Sequence, residues 1–309
     1  MIVNAVCGAG KTELVYQAIE YFINNNKKVA FAIPRKDVCK EIYLRLKKDY
    51  PNVSMSLVYG GHNKIIEAQL VVLTTHQLYR YPSYFDLLIL DEADAFPYYH
   101  NELLNVFLNK ACKGPIVYLS ATIKKDFLDV CQNVVYVNRR FHNVDLPVPE
   151  YIKYNNFNKL SVLSNVINSL RNKQILIFVP TIEIGKSLSN KTNYKFIYSS
   201  FKDKEKYIEE FKEKKIKVLI TTSILERGMT FFDVQVIVFE ANHKLFDESS
   251  LIQISGRVGR KIKAEKGRVI FLANSLSIEM KKCIDSIKEK NKKWKKEFVQ
   301  YVLKTFMKK

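Results

Sequence analysis

The sequence predicts an α/β fold of two consecutive domains, each with a mainly parallel sheet. Two observations lead to this prediction: short apolar segments alternate with longer amphipathic ones, and the alternation restarts after residue 145. Strands that alternate with helices favour parallel sheets covered by helices on both faces. The buried strands predicted for the first half are IVNAV, VAFAIP, VSMSLVYGG, LVVLTT, FDLLILD, PIVYLSAT and VVYV. Those predicted for the second half are ILIFVP, FIYSS, VLITT, VQVIVFE and RVIFLA.

The segment RRFHNVDLPVPEYIKYNN interrupts this pattern and contains Pro147 and Pro149. Proline breaks helices and removes a donor from a sheet ladder, so we interpret the segment as a linker. The sequence therefore predicts a first domain over residues 1–146 and a second over residues 147–309.

The chain ends in a predicted long basic helix that begins near Leu276. Residues 281–309 hold eleven lysines and only three acidic residues. We interpret the lysines first as the solvated face of a packed helix, and a direct nucleic-acid contact is the alternative. The apolar residues predicted to form its inward face are Ile284, Trp294, Phe298, Val302 and Phe306.

Composition and charge favour a polyanionic partner. The chain of 309 residues carries 50 Lys and Arg against 31 Asp and Glu, a formal net charge of +19. Such a surplus favours nucleic acid first and an anionic membrane second, while a genome rich in A and T is the alternative source of the lysines. The longest apolar runs, such as LLIL and KVLI, have the length of strands, so we expect no membrane span. No secretory signal is visible, and a cytoplasmic location is predicted.

The five cysteines do not predict a metal site or a disulfide framework. They lie far apart and form no C-x-x-C pair. We expect most of them to be small buried side chains in a reducing compartment. They are Cys7, Cys39, Cys112, Cys131 and Cys283.

The segment AVCGAGKTE matches the phosphate loop of nucleotide-binding proteins, with a strand before it and a helix after it. Glycines let backbone N–H groups point at the phosphates, next to the positive end of the helix. A lysine reaches the β- and γ-phosphates, and a threonine hydroxyl binds Mg²⁺. The residues predicted to bind ATP in this way are Gly8, Ala9, Gly10, Lys11, Thr12 and Glu13, with Thr12 on Mg²⁺.

The segment FDLLILDEAD supplies two carboxylates at the end of a predicted strand. Asp91 is expected to hold Mg²⁺, and Glu92 is expected to act as the general base toward the attacking water. The alternative is a solvated strand end, but the phosphate loop upstream argues against it.

Three further segments are predicted to couple nucleotide hydrolysis to the rest of the chain. YLSAT places Ser120 and Thr122 where they can sense the γ-phosphate. In TTSILERGMTF, Thr221 and Thr222 are predicted phosphate contacts of a nucleic acid, while Glu226 and Gly228 face the nucleotide cleft or the domain seam. In QISGRVGR, Gln253, Arg257 and Arg260 are predicted catalytic residues, because two arginines one helical turn apart face the same cleft and can stabilise the transferring phosphoryl group.

The order of these segments resembles that of superfamily 2 helicases and translocases, in which two RecA-like domains clamp ATP between them. Motif I is AVCGAGKT, Ia IPRKDV, Ib TTHQL, II DEAD, III SAT, IV IFVP, V TTSILERGMTF and VI QISGRVGR. The resemblance covers essentially the whole chain and implies ATP and Mg²⁺ as cofactors. It also implies that a nucleic-acid strand crosses both domains over Arg35, Thr75, His76, Pro180, Ser199 and Thr222.

Within this superfamily the chain resembles the ComFA competence ATPases more than the DEAD-box RNA helicases. DEAD-box helicases carry a P-T-R-E-L type of motif Ia and begin motif VI with His-Arg, whereas this chain has IPRKDV and Gln253. ComFA proteins typically write motif II as Asp-Glu-x-Asp-Ala-Phe-Pro, and this chain continues with AFPYY, Ala95 to Tyr99.

The ComFA resemblance implies a translocase that hydrolyses ATP, is stimulated by single-stranded DNA and drives the uptake of transforming DNA. Its implied partners are single-stranded DNA, a membrane DNA-uptake channel and other competence proteins, at the inner face of the cell membrane. A PriA-like replication-restart helicase, an RNA helicase and a non-motor, ATP-binding docking subunit of the channel remain alternatives. ComFA proteins usually carry a four-cysteine zinc module and an adenine-reading segment before motif I. Met1 stands four residues before Ala5, so neither is expected in this chain, and no zinc.

Overall fold

The computed structural model describes residues 1–61, 67–93, 101–122, 133–170, 172–226 and 231–306, with side chains as far as residue 293. The chain divides into two compact units, Met1–Asn138 and Arg139–Lys309. Each unit holds one sheet in which every pair of neighbouring strands is parallel. The predicted fold class, two tandem α/β domains with parallel sheets, is therefore confirmed.

The first unit is built on a seven-stranded sheet. Its strands are β1 (Ile2–Ala5), β2 (Val29–Ile33), β3 (Met55–Val58), β4 (Leu70–Thr74), β5 (Leu87–Asp91), β6 (Ile116–Ser120) and β7 (Val134–Val137), in the spatial order β3-β4-β2-β5-β6-β1-β7. Its described helices are α1 (Lys11–Leu14), α2 (Tyr16–Asn24), α3 (Lys36–Asp49) and α4 (Glu102–Ala111), with a 3₁₀ helix over Thr75–Arg80. β2, β4 and β5 are buried along their whole length, as expected of central strands that are covered on both faces.

The second unit is built on a six-stranded sheet. Its strands are β8 (Glu150–Lys153), β9 (Gln174–Phe178), β10 (Lys195–Ile197), β11 (Val218–Thr221), β12 (Val234–Phe239) and β13 (Val269–Ala273), in the order β10-β11-β9-β12-β13-β8. Its helices are α5 (Lys159–Ser169), α6 (Ile182–Thr192), α7 (Lys204–Lys212), α8 (Glu248–Ser255) and α9 (Ile278–Phe306), with a 3₁₀ turn over Ser223–Leu225.

The two sheets share one topology. Strands β1 to β6 and strands β8 to β13 occupy the same places in the two spatial orders, and β7 is an added edge strand of the first unit. Positions after equivalent strands can therefore be compared. Glu92 follows β5 with φ 56° and Glu240 follows β12 with φ 54°, so even a rare backbone conformation is repeated.

The predicted linker contains one β-strand. β8 lies within it and pairs with β13 at the edge of the second sheet. The strand has four residues, none of them buried, so it lacks the apolar run that marks the other strands. The division into units falls between Asn138 and Arg139, earlier than Pro147, because the residues after Asn138 bond to the second unit. Leu146, for example, exchanges two hydrogen bonds with the side chain of Asn291.

Two further expectations need correction. VVYV forms β7 as predicted but is not buried: Val135 and Tyr136 are 47% and 56% exposed, because β7 pairs on one side only. The C-terminal helix exists, but its buried residues are Met280, Cys283 and Ile287, whereas Ile284 is half-buried. The side chains of Trp294, Phe298, Val302 and Phe306 lie outside the described part of the chain.

The described cysteines follow the expected pattern. Cys7, Cys39 and Cys283 are buried and Cys112 is half-buried, while Cys131 lies outside the described residues. Burial raises the pKa of the Cys39 thiol to about 12, so this side chain remains protonated and packs as a small apolar group. Among the described residues, no helix is long and apolar enough to span a bilayer.

Asp86 ties together the starts of two central strands and gives a prediction for acid stability. Its carboxylate accepts a hydrogen bond from the Lys28 backbone N–H at 2.9 Å and pairs with Lys113 Nζ at 3.6 Å. The Lys28 N–H, more than Lys113, holds the pKa of Asp86 below its usual value. Because the folded-state pKa is depressed, this stabilisation is present at neutral pH and is lost as the pH falls through the acidic range.

We therefore expect Asp86→Asn to lower the free energy of unfolding by about 1 kcal/mol at neutral pH. The difference from wild type should shrink as the pH falls below the usual carboxyl pKa, because the wild-type carboxylate then becomes protonated. Chemical denaturation at several pH values measures both effects. Asp203→Asn is the control, since exposed Asp203 makes no capping bond; an equal loss at every pH in Asp86→Asn would contradict the prediction.

Candidate nucleotide and nucleic-acid sites

The loop between β1 and α1 has the conformation of a phosphate cradle. Gly8 and Gly10 have φ of 83° and 77°, in the left-handed region that glycine adopts without strain. Gly10 is the N-cap of α1, and its carbonyl accepts from Leu14 N at 3.0 Å, so the helix begins directly after the loop. A turn of this kind points consecutive N–H groups toward one side and binds anions there.

The side chains that follow the loop fit a nucleoside triphosphate with Mg²⁺. Lys11 Nζ donates to the Ala5 carbonyl at 2.9 Å, which keeps the ammonium folded back over the loop. Thr12 is buried at the first turn of α1, and Asp91 is buried at the end of β5. Hydroxyl and carboxylate oxygens are ligands that Mg²⁺ prefers, with the remaining positions taken by phosphate oxygens and water. Among the described residues, no group of three histidine, cysteine, aspartate or glutamate side chains is placed to hold a metal.

Neighbouring strands bring the motif II and motif III residues to the same end of the first sheet, where the carboxyl ends of its strands lie. β6 lies between β5 and β1, with Asp91 level with Leu119 and Asn4 level with Ser120. Because the strands are parallel, the phosphate loop and the residues after β5 and β6 emerge side by side. Ala9 and Glu13, also predicted contacts, lie at this end of the sheet, the first buried and the second exposed.

The backbone around Glu92 and Ser120 is tightly fixed. Glu92 has φ 56°, and its N–H donates to Asp91 Oδ1 at 2.8 Å. A left-handed glutamate costs conformational energy, and such strain is typical of functional positions. Ser120 Oγ accepts from Thr122 N at 3.0 Å and donates to the Thr122 carbonyl, so the motif III residues form a closed turn.

In the second unit, the helix that carries the start of motif VI ends before the two arginines, contrary to the prediction. α8 ends at Ser255, and Gly259 has φ 70°, so the expectation that Arg257 and Arg260 stand one helical turn apart is wrong. Gly256 and Gly259 turn the chain out of the helix, which residue spacing alone does not reveal. Gln253 is on α8 and is buried.

The two motif VI arginines have different environments. Arg257 is 2% exposed, and its Nε and Nη2 donate to the Glu226 carbonyl at 3.0 and 2.6 Å. It therefore joins motif VI to motif V inside the second unit. Arg260 is half-buried, and its Nε donates to the Gly256 carbonyl at 2.7 Å. Glu226 is buried, while Gly228 lies outside the described residues, as do residues 95–99 of the motif II extension.

The predicted nucleic-acid contacts of each unit follow the carboxyl ends of adjacent strands. In the first unit, Arg35 follows β2, and Thr75 and His76 follow β4, which pairs with β2. His76 is exposed, but Thr75 is fully buried, and its Oγ1 has no hydrogen-bond partner among the described residues.

In the second unit, Pro180, Ser199 and Thr222 follow β9, β10 and β11, again neighbours in the sheet. Ser199 is exposed and the other two are half-buried. Thr221 is fully buried, and its Oγ1 donates to the Thr222 carbonyl at 3.0 Å, so of this pair Thr222 is the better placed to meet a ligand.

Two tyrosines at equivalent positions of the sheets were missed by the sequence analysis. Tyr59 directly follows β3, and Tyr198 directly follows β10. Lys36 and Lys40 place Nζ 4.3 and 5.4 Å from the Tyr59 ring centroid, and Lys186 places Nζ 5.9 Å from that of Tyr198. The repeated pattern VYGG and IYSS, a strand end followed by tyrosine and two small residues, was the available signal.

The second unit has a structural counterpart of the phosphate loop that is closed by its own side chains. Residues 154–158 connect β8 to α5 as residues 6–10 connect β1 to α1, but they contain no glycine. Asn155 Oδ1 accepts from the N–H groups of Phe157 and Asn158 at 3.0 and 2.9 Å, and Asn158 Oδ1 accepts from that of Asn155 at 2.8 Å. Lys159, at the place of Lys11, pairs with Glu240 at 3.2 Å.

Comparison with known proteins places the chain among helicase-like proteins. Residues 1–125 match the family described as type III restriction enzyme, res subunit, and residues 158–262 match the helicase conserved C-terminal domain. The competence protein ComFA of Streptococcus pneumoniae is 38% identical over 94% of this chain and 72% of its own length. The ComFA protein of Bacillus subtilis is 33% identical over 94% of this chain and 67% of its own length.

Solved structures share the fold at low sequence identity. Dbp5 of S. cerevisiae bound to RNA and ADP BeF3 is 18% identical, with a TM-score of 0.73 over 99% of this chain and 88% of its own. The helicase Lhr of Mycobacterium smegmatis bound to ssDNA and AMP-PNP is 16% identical, with a TM-score of 0.69 over 93% of this chain and 46% of its own. The tandem RecA-like fold expected from the motifs is therefore confirmed.

Proposed function

Because the chain belongs to the ComFA family of competence proteins, we propose that it is an ATP-driven motor that moves along single-stranded DNA and drives the uptake of transforming DNA. The observation that carries the proposal is the arrangement of motif residues at the carboxyl ends of the strands of the first sheet. There the nucleotide motifs follow β1, β5 and β6, and the basic and hydroxyl residues follow β2 and β4. The carboxyl ends of one sheet are thus proposed to serve both ATP hydrolysis and the binding of single-stranded DNA.

ATP hydrolysis follows from the groups at these strand ends. The loop N–H groups bind the phosphates, and Lys11 exchanges the Ala5 carbonyl for the β- and γ-phosphates. Glu92 accepts a proton from the water whose oxygen attacks the γ-phosphorus, while the bond to the β–γ bridging oxygen breaks and yields ADP and phosphate. Bound Mg²⁺, held by Thr12 and Asp91, would neutralise charge on the phosphate oxygens. Arg260 is proposed to stabilise the charge that develops on the transferred group.

Strand binding is proposed to rest on phosphate charge and on aromatic faces. Lys36, Lys40 and Lys186 are exposed and form no ion pair with an acidic side chain among the described residues. A cation held over a tyrosine ring is restricted in its motion, which favours a defined phosphate contact. Tyr59 and Tyr198 also offer π surfaces to unstacked bases, and these are available only in single strands.

We predict that Tyr59→Ala weakens single-stranded DNA binding by roughly 5- to 150-fold, the range expected for the loss of one base contact. Fluorescence anisotropy with a labelled oligonucleotide at fixed ionic strength measures the affinity. Tyr21→Ala removes a different tyrosine of the first unit, which is 67% exposed on α2, and should bind as wild type does. Equal affinities of Tyr59→Ala and wild type would contradict the assignment.

The proposed function is tested by the ATPase rate with single-stranded DNA, with single-stranded RNA and without nucleic acid, all at one salt concentration, since phosphate contacts depend on salt. We expect DNA to raise the rate, and a streptavidin-displacement assay to show movement along the strand. A folded sample that binds ATP but responds to neither polymer overturns the proposal. Stronger stimulation by RNA favours an RNA helicase, and DNA binding without turnover favours a docking subunit.

The cellular role is proposed from family membership. A motor that draws one strand inward would act on the cytoplasmic side of the cell membrane, at a DNA-uptake channel and with other competence proteins. Co-purification with membranes from competent cells, compared with non-competent cells, tests this placement. Equal recovery from both would argue against it.

A further inference from the structure

A buried arginine outside the recognised motifs holds the motif VI turn. Arg140 is 1% exposed, and its Nη1 donates to the Gly259 carbonyl at 2.6 Å and its Nη2 to the Gly256 carbonyl at 3.4 Å. Both carbonyls belong to the turn between α8 and Arg260. The α-helix ends at Ser255, and the turn that follows keeps two backbone bonds, from the Arg257 and Val258 N–H groups to the Ile254 and Ser255 carbonyls at 3.0 and 3.3 Å, which leaves the Gly256 and Gly259 carbonyls to side-chain donors.

The fit between Arg140 and the turn leaves no spare room. A Cβ built on Gly259 would lie 2.8 Å from Arg140 Nη1 and 2.4 Å from the Glu265 carbonyl oxygen. Gly259 is therefore required both by its φ of 70° and by the close approach of the guanidinium. His142 Nε2 lies 3.1 Å from the same Gly259 carbonyl and adds a second contact from the Arg140 segment.

Arg140 and Arg260 share a hydrogen-bond acceptor. The Gly256 carbonyl accepts from Arg260 Nε at 2.7 Å as well as from Arg140 Nη2. Arg140 thus fixes the carbonyl against which the Arg260 side chain is oriented. A guanidinium presents its donors in a rigid plane, so two carbonyls bound to it keep a set distance and direction.

We propose that Arg140 is a positioning residue for ATP hydrolysis, which holds the motif VI turn so that Arg260 presents its guanidinium to the transferred phosphoryl group. The inference rests on the proposed function, because it requires that the chain hydrolyses ATP with Arg260 as a catalytic residue. It assigns a role to a residue that belongs to none of the eight motifs.

The test compares kcat and KM for ATP in Arg140→Gln, Arg140→Lys, Arg260→Ala and the double variant Arg140→Gln/Arg260→Ala, each in the full chain with saturating single-stranded DNA. Misplacement of a catalytic group by about 1 Å lowers turnover roughly 100-fold. We therefore expect Arg140→Gln to lower kcat by about 10- to 100-fold with little change in KM, and Arg140→Lys to recover part of the loss. The double variant should be no slower than Arg260→Ala alone, because the two residues act through one group.

The control is Arg268→Gln. Arg268 is an arginine of the same unit that donates to both carboxylate oxygens of Glu150, at 2.9 and 2.7 Å, and it should retain wild-type kcat. A thermal unfolding midpoint for each variant separates loss of folding from loss of turnover. If Arg140→Gln does not fold, His142→Gln replaces it, with a smaller loss expected and the same comparison on the Arg260→Ala background.

Two results overturn the inference. One is wild-type kcat in Arg140→Gln. The other is a double variant whose kcat falls below that of Arg260→Ala by the same factor by which Arg140→Gln, or His142→Gln, lowers the wild-type kcat. Such independent effects are expected of a purely structural residue. A wild-type chain without ATP turnover overturns the proposed function and this inference with it, whereas an active wild type with an equally active Arg140→Gln overturns the inference alone.

Discussion

Replacing Glu92 by glutamine is expected to lower ATP turnover by about 100- to 10,000-fold while nucleotide binding persists. Glutamine keeps the size of the side chain but cannot accept a proton from the attacking water. The backbone around this position is set by the Glu92 N–H bond to Asp91 Oδ1, which the substitution leaves in place. The change is therefore expected in kcat, with little change in the affinity for a nucleotide analogue.

The shared topology supplies a matched control for this variant. Glu240 follows β12 as Glu92 follows β5, with nearly the same φ, but its carboxylate pairs with Lys159. We expect Glu240→Gln to hydrolyse ATP at the wild-type rate in a phosphate-release assay. If Glu92→Gln hydrolyses ATP at the wild-type rate, Glu92 is not the general base.

Replacing Arg260 by alanine is expected to slow hydrolysis by about 1,000-fold or more, the effect of losing an arginine that stabilises the transferring phosphoryl group. Arg260 is the half-buried arginine of motif VI, whereas Arg257 is enclosed and bonded to the Glu226 carbonyl. We therefore expect Arg257→Ala to act mainly on stability, through the loss of the contact between motifs V and VI.

Single-turnover kinetics and thermal unfolding separate these two effects. Lys261→Ala removes the exposed cation next to Arg260 and serves as the control for net charge. If Arg260→Ala hydrolyses ATP within a few-fold of Lys261→Ala, Arg260 does not act on the transferred group.

The sequence predicted the elements whose constraints are local. Gly8 and Gly10 are needed for a left-handed loop, and a strand before them with a helix after them is visible as hydrophobic periodicity. The apolar runs of β2, β4, β5 and β9 stand out because central strands of parallel sheets are buried on both faces. The same reasoning missed β8, an exposed edge strand that is defined by its pairing with β13 and not by its composition.

The site residues that escaped prediction depend on contacts between distant parts of the chain. A spacing of three between Arg257 and Arg260 is typical of a helical face, but α8 ends at Ser255 and the positive φ of Gly259 turns the chain between the two arginines. Tyr59 and Tyr198 stand in similar segments, VYGG and IYSS, but their equivalence depends on the order of the strands in the two sheets. Pairing across a sheet cannot be derived from either strand alone.

The closed loop over residues 154–158 bears on how many ATP molecules the chain can bind. The N–H groups of Asn155, Phe157 and Asn158 are bonded to asparagine side chains, and Lys159 pairs with Glu240, so these donors and this cation are engaged within the second unit. We therefore expect the proposed motor to bind one ATP per chain, at the phosphate loop of the first unit, while the second sheet serves strand binding.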